Sequence, residues 1–207
     1  EIEITRSEIK IDSVKFEKID ATTGYIKISQ FSVDTSSLVS RAINTLRSEG
    51  VTKIVLDLRN NGGGYVEQAV GVAGNWLDEK VVLSERFRGR EIEVKRTSGT
   101  PSADLSNNKL VVLVNEGSAS ASEILAAALR DNGNVKLVGQ KTFGKGSVQE
   151  VVELGDGARL KITIAHWYTP KGVSIDKEGI KPDVEVEAGS DPAQDPQKQK
   201  ALELLAN

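Results

Sequence analysis

Val111-Val-Leu-Val-Asn-Glu-Gly-Ser-Ala-Ser-Ala-Ser-Glu123 is the stretch on which the fold turns. Its apolar start reads as a buried strand, Asn115-Glu-Gly117 breaks it, and an Ala- and Leu-rich helix starts near Ser118 and ends near Asn132-Gly133. Upstream the same grammar repeats. Lys53-Ile-Val-Leu-Asp-Leu58 predicts a buried strand, Asn60-Asn-Gly-Gly-Gly64 ends it, and a helix is expected from Val66 to Leu77. Before that, Glu1-Ile-Glu-Ile-Thr-Arg6, Ile9-Lys-Ile11, Val14-Lys-Phe16 and Tyr25–Phe31 alternate apolar and polar with the period of strands. Leu38, Val39, Ala42, Ile43 and Leu46 then fall at helical spacing between an Asp34-Thr-Ser cap and Gly50. Further strands are expected at 81–87, 91–96 and 109–115. Two longer ones, at 147–154 and 158–169, are joined by the turn signal Gly155-Asp-Gly157. A short helix at Ala201–Leu205 closes the chain. Strands that alternate with helices imply a mixed α/β architecture.

The 207 residues suit one domain with at most a small appendage, and 38% hydrophobic with 28% charged residues is an ordinary globular balance. A net charge of −3 gives no support for nucleic-acid binding. No apolar run reaches the ~20 residues needed to span a bilayer. The chain opens on Glu1 without a basic-then-apolar leader and reads as a mature or excised fragment, so a membrane anchor would have to come from a preceding segment. With no cysteine, thiol catalysis, disulfides and Cys-ligated metal are excluded, and a single histidine, His166, limits the acid–base choices.

Three segments carry potential chemistry, each at or near the end of an expected strand. Ser120-Ala-Ser-Glu123 fits the capping box S-x-x-E, and Ser118 is an equally good N-cap. The same serines also sit where a hydroxyl at a strand-to-helix turn lies in the positive field of a helix N-terminus, with the Ala121 N–H available to an oxyanion. Both readings hold together if Ser118 caps and Ser120 reacts. A reactive serine needs a base. His166 lies inside an alternating strand, which is the setting of a packed or surface residue. Lysine is the other established base for serine, provided burial lowers its pKa from ~10.4 towards neutrality. Lys145 has Phe143 nearby, glycines on both sides and no carboxylate until Glu150. Gly139-x4-Gly144-Lys145 also approaches the phosphate-binding loop pattern. Gly146 stands where that pattern needs a hydroxyl, and the segment leads into a strand rather than a helix. The glycines at 62–64 form either a flexible turn or a loop whose amides face a substrate oxygen.

Taken together, Gly24-Tyr-Ile, Asp57-Leu-Arg-Asn-Asn-Gly-Gly-Gly64, Asn115–Glu123, Thr142-Phe-Gly-Lys-Gly-Ser-Val-Gln149, Tyr168-Thr-Pro-Lys-Gly172 and Gly179-Ile-Lys-Pro-Asp183 resemble the carboxy-terminal processing (tail-specific) proteases over about 24–187. The resemblance implies a layered α/β core of the ClpP and crotonase type with added strands. It implies Ser120 as nucleophile, Lys145 as general base and Gln149 orienting the lysine. Ala121 and one of Gly63 or Gly64, with Gly63 favoured, would supply the oxyanion amides. It further implies an endopeptidase acting through an acyl-enzyme on extended or unfolded polypeptide near its C-terminus, without metal or organic cofactor, outside the cytoplasm. The alternative is a non-catalytic or latent peptide-binding module of the same fold. Two departures stand out. Gly62 replaces the proline usual in the family's Asn-Pro-Gly-Gly loop. The family's PDZ domain has room here only as a remnant in residues 1–11, ahead of a core at 12–188 and a tail at 189–207.

Overall fold

The computed structural model describes residues 12–103, 105–106, 109–191 and 194–206; the alternating segments expected at 1–6 and 9–11 lie outside them. The first half of the chain runs β1 (Val14–Lys18), β2 (Thr23–Ile28), α1 (Thr35–Ser48), β3 (Lys53–Asp57), α2 (Val66–Ala73), β4 (Val81–Phe87) and β5 (Arg90–Arg96). The second half runs β6 (Lys109–Val114), α3 (Ala121–Gly133), β7 (Lys136–Gly139), β8 (Ser147–Glu153), β9 (Arg159–Tyr168), β10 (Val184–Glu185) and α4 (Pro196–Ala206).

Six strands build one sheet in the order β1-β2-β3-β6-β7-β10, parallel except for the β1–β2 pair. Side chains alternate across it. Ile54, Leu56, Leu110, Val112 and Val114 face a large core shared with Val39, Ile43 and Leu46 of α1, Val72 of α2, and Leu125 and Leu129 of α3. Val55, Val111, Leu113 and Val138 face the other way and pack against Ala201 and Leu205 of α4. Helices therefore cover both faces, which is why the strand at Val111–Val114 is uninterruptedly apolar. The layered α/β core is as the sequence implies, with four added strands.

Those strands form an antiparallel sheet, β5-β4-β9-β8, which delivers Val82, Leu83 and Trp167 to the main core. The turn expected at Gly155-Asp-Gly157 joins β8 to β9. The helix expected to reach Leu77 stops at Ala73, and Trp76 and Leu77 are buried from the turn that follows. The last helix is longer than the expected 201–205. It begins at Pro196, whose missing N–H costs nothing in a first helical turn.

Parallel strands place their C-terminal ends together. Neighbouring β3, β6 and β7 thereby bring the loops after Asp57, Val114 and Gly139 to one end of the sheet.

Candidate active site

The loops at that end are laced together by side chains. Of the three alternating serines at 118, 120 and 122, the outer two are fully buried and face the neighbouring loop. Ser118 Oγ donates to the Leu58 carbonyl at 2.8 Å, and Ser122 Oγ donates to the Asn61 carbonyl at 2.8 Å. Ser118 is thus a tie between loops rather than the helix cap the sequence allows. The N-cap of α3 is Ser120 itself. Its hydroxyl oxygen faces the Glu123 N–H as the accepting half of a capping box and donates to no group among the described residues, which leaves its proton available. Its backbone has φ +58° and ψ −118°, a region that non-glycine residues occupy only when their surroundings force it.

Gly63 is one of those surroundings. A Cβ there would lie 2.7 Å from Ser120 Cβ and 3.1 Å from the Ala121 nitrogen, so only glycine lets the loop press against the serine turn. Gly63 is also the less available oxyanion donor, against the sequence preference. Its N–H donates to Asn61 Oδ1 at 2.9 Å. Gly64 pairs with Phe31 through its neighbours, Phe31 donating to the Gly63 carbonyl and Tyr65 to the Phe31 carbonyl. Its own N–H therefore points away from Phe31 and has no partner among the described residues. The Ala121 N–H, in the first turn of α3, is likewise unpartnered among them.

Glu123 connects the serine turn to the lysine loop. Its carboxylate is wholly buried, with Oε2 accepting the Ser120 N–H at 2.9 Å and the Lys145 N–H at 2.9 Å. Oε1 accepts Thr142 Oγ1 at 2.5 Å and the Gly144 N–H at 2.7 Å. The sequence offers Glu123 only as the acidic end of a capping box. Its second pair of donors comes from residues 19 and 21 positions on, which no local pattern reveals. The same carboxylate decides against a phosphate site, because it occupies the amides that a phosphate loop must keep free.

Behind the glycine loop lies a second ionic group. The buried Asp57 carboxylate accepts the Tyr25 hydroxyl at 2.5 Å and Arg59 Nη2 at 2.6 Å. Arg59 also forks onto Asp195, with two bonds of 2.8 Å, and reaches Gln197 Oε1 at 2.9 Å. Desolvation and the Asp57 charge push the Tyr25 hydroxyl far above its ordinary pKa, so it stays a donor. Asp195 is held below the usual carboxylate range. Its partial burial works against this and is outweighed by the hydrogen bonds from Arg59 and the Lys198 N–H.

Ser120, Lys145, Gln149 and Gly64 line one cavity of about 500 Å³, together with Glu85, Glu93, Lys95, Lys161 and Trp167. Lys145 reaches it from the loop that precedes β8, and Gln149 from β8 itself. A shift of register between Val148 and Gln149 falls in β8, the strand that carries Gln149. The dry setting expected of Lys145 is not met. The side chain is exposed, and Phe143 beside it is 67% exposed, because the glycines of this loop pack against residues 176–179 rather than against an apolar wall. His166 is not part of this cavity; it lies 3.4 Å from Asp176 on a separate surface.

The sequence of the "Peptidase family S41" domain matches residues 22–186. This chain belongs to peptidase family S41. Among S41 relatives, a "Carboxyl-terminal-processing protease" of Picosynechococcus sp. is 41% identical over 186 residues, covering 88% of this chain and 44% of that protein. A "Carboxyl-terminal-processing protease" of Synechocystis sp. is 41% identical over 216 residues, covering 99% of this chain and 50% of that one. The solved structure of a photosystem II D1 C-terminal processing protease superposes with a TM-score of 0.81 at 33% identity, covering 98% of this chain and 55% of that chain. The S41 chain thus spans about half the length of the relatives it matches.

Proposed function

We propose that this chain is the catalytic domain of a serine endopeptidase in which Ser120 is the nucleophile and Lys145 its general base. The observation that carries the reading is that a hydroxyl with no acceptor for its proton among the described residues, in a strained helix-capping turn, shares a cavity with a lysine amine that makes no ion pair among them. Neutral Lys145 takes the Ser120 proton as Oγ attacks the scissile carbonyl carbon. The C–N bond then breaks, and the lysine ammonium returns the proton to the leaving nitrogen. Water, deprotonated in turn by Lys145, hydrolyses the resulting ester and frees the serine. The N–H groups of Ala121 and Gly64 receive the oxyanion, and the Gln149 side-chain carbonyl holds the lysine.

A lysine exposed to water is a poor base, so substrate has to complete its environment. The substrate is an extended polypeptide near its C-terminus, laid along β8, which is the free edge of its sheet and carries Ser147 and Gln149. Covering the amine removes its water and favours the neutral form. On the strength of the processing-protease relatives, the site of action is outside the cytoplasm. Among the described residues no helix is long and apolar enough to cross a membrane.

The exposure of Lys145 favours a second reading, a latent or non-catalytic peptide-binding module. A fluorophosphonate probe separates the two. Labelling that disappears in Ser120→Ala and in Lys145→Ala supports the peptidase. An unlabelled wild type that also leaves casein intact supports the binding module. In the active case kcat/KM depends on a group titrating well below ~10, and loss of either residue lowers turnover by about 10⁴-fold or more.

A further inference from the structure

We propose that Glu85, with Glu93 facing it and Trp167 beside it, forms a subsite that takes a lysine or arginine side chain of the polypeptide substrate; this rests on the peptidase reading above. The three residues form one row across three strands, since Glu85 is in register with Glu93 of β5 and with Trp167 of β9. All three line the cavity that contains Ser120.

The row is costly as it stands. Like charges directly opposite one another destabilise a sheet, and Glu85 is only 8% exposed. Desolvation, and then the Glu93 charge, raise its pKa above the usual glutamate value. The one neighbouring cation is already committed: Lys95 pairs with Glu93 at 2.6 Å and with Glu67 at 3.5 Å. Lys145 and Lys161 line the same cavity, and neither forms an ion pair with Glu85. Beside this carboxylate, the buried Trp167 Nε1–H makes no well-formed hydrogen bond and reaches Glu85 only closely enough to offset part of the pKa rise. It is the only buried side-chain nitrogen or oxygen so placed among the described residues.

A carboxylate that Lys95 and Trp167 offset only in part, set in the wall of a substrate cavity, selects by charge. An apolar side chain would desolvate Glu85 further and return nothing. A carboxylate, including the free C-terminus of the substrate, would be repelled by Glu85 and Glu93. An ammonium or guanidinium brings the missing donors, and its aliphatic stem can lie against the indole of Trp167. The substrate's C-terminal carboxylate is accordingly recognised elsewhere than in this wall.

Binding to the catalytically dead Ser120→Ala protein tests the subsite without relying on turnover. Fluorescent peptides carry lysine, arginine or the uncharged isostere norleucine at successive positions, and affinities are read by anisotropy. At one position lysine and arginine bind about ten-fold tighter than norleucine, the size of one charge-assisted hydrogen bond, and high salt weakens the contrast. Adding Glu85→Gln brings the ratio to within about two-fold. Should that variant fail to fold, Glu93→Gln, at a half-exposed position, gives the second reading and reduces the contrast to about three-fold. Equal affinities at every position, no binding by any peptide, or a lysine preference that survives both substitutions overturns the proposal. A cationic preference in a protein whose wild type cleaves nothing leaves the subsite standing and sinks the peptidase reading alone.

Discussion

Glu123→Gln tests whether one buried carboxylate holds the Ser120 turn and the Lys145 loop together. The substitution keeps the shape and removes the charge. One oxygen becomes an NH₂ group, and all four present partners are donors. The least costly orientation puts that NH₂ towards Thr142, whose hydroxyl can turn round and accept, leaving the Gly144 N–H without a partner. An orphaned buried amide costs about 1–3 kcal/mol. The bonds to Ser120 and Lys145 also fall from charge-assisted to neutral strength, about 0.5–1 kcal/mol each. The total, about 2–5 kcal/mol, corresponds at about 2–4 °C per kcal/mol to a melting temperature lower by about 4–20 °C. Because the lost bonds fix the backbones of the proposed nucleophile and base, kcat/KM is expected to fall by about 10²-fold or more at temperatures where the variant remains folded. The assays are differential scanning calorimetry and cleavage of an unfolded protein substrate, with circular dichroism to confirm folding. A variant that melts within about 1 °C of wild type, or that labels with a fluorophosphonate at the wild-type rate, refutes the linkage.

Gly63→Ala places a methyl 2.7 Å from Ser120 Cβ at φ +104°, and is expected to abolish probe labelling while the far end of the domain stays folded, as read by hydrogen exchange. Asp195→Asn removes a carboxylate whose folded pKa lies below its ordinary 3.8, so the lost stabilisation is one present above that value and gone once pH falls through the folded pKa. The variant should melt earlier than wild type at neutral pH, with the gap closing below about pH 4; a gap independent of pH counts against the Arg59 pairing. Glu85→Gln has the opposite sign. A carboxylate with a raised pKa penalises folding above its ordinary 4.5, so the glutamine variant should melt later than wild type at pH 7 and match it in acid.

Local pattern was enough for most of this fold. The long strands and α1 could be read because each carries its own signal, an apolar run or a helical stripe ended by glycine or a polar break. The two strands that escaped notice, Lys136–Gly139 and Val184–Glu185, have four and two residues and exist by pairing with each other and with β6. Their information lies in partners 46 residues apart, beyond the reach of any periodicity. The site divides the same way. Ser120 and Lys145 stood out because a turn or loop advertised each one. Glu123, Asp57 and Arg59 were visible as residues and silent as partners, since their hydrogen bonds cross the chain. The environment of Lys145 departs from the sequence expectation for a related reason. Phe143 is two residues away in sequence, and residues two apart share a face only where the extended backbone is regular. Between Phe143 and Lys145 stands Gly144 at φ +91°, which breaks that relation.

The division of the site between two sheets accounts for how exposed its lysine is. Ser120 follows β6 of the large sheet, whereas the residues after Lys145 enter β8 of the small one. Glu123 fixes the backbones across this boundary, and the Trp167 backbone N–H ties the lysine loop to β9 by donating to the Gly146 carbonyl at 2.7 Å. Neither contact reaches the lysine side chain, whose four carbons leave the amine free to sample water. On the proposed mechanism, a lysine held by its backbone and left open at its tip is neutralised only by what enters the cavity. The substrate would then supply the burial that a lysine base requires, and peptides too short to lie along β8 should lose turnover as well as affinity.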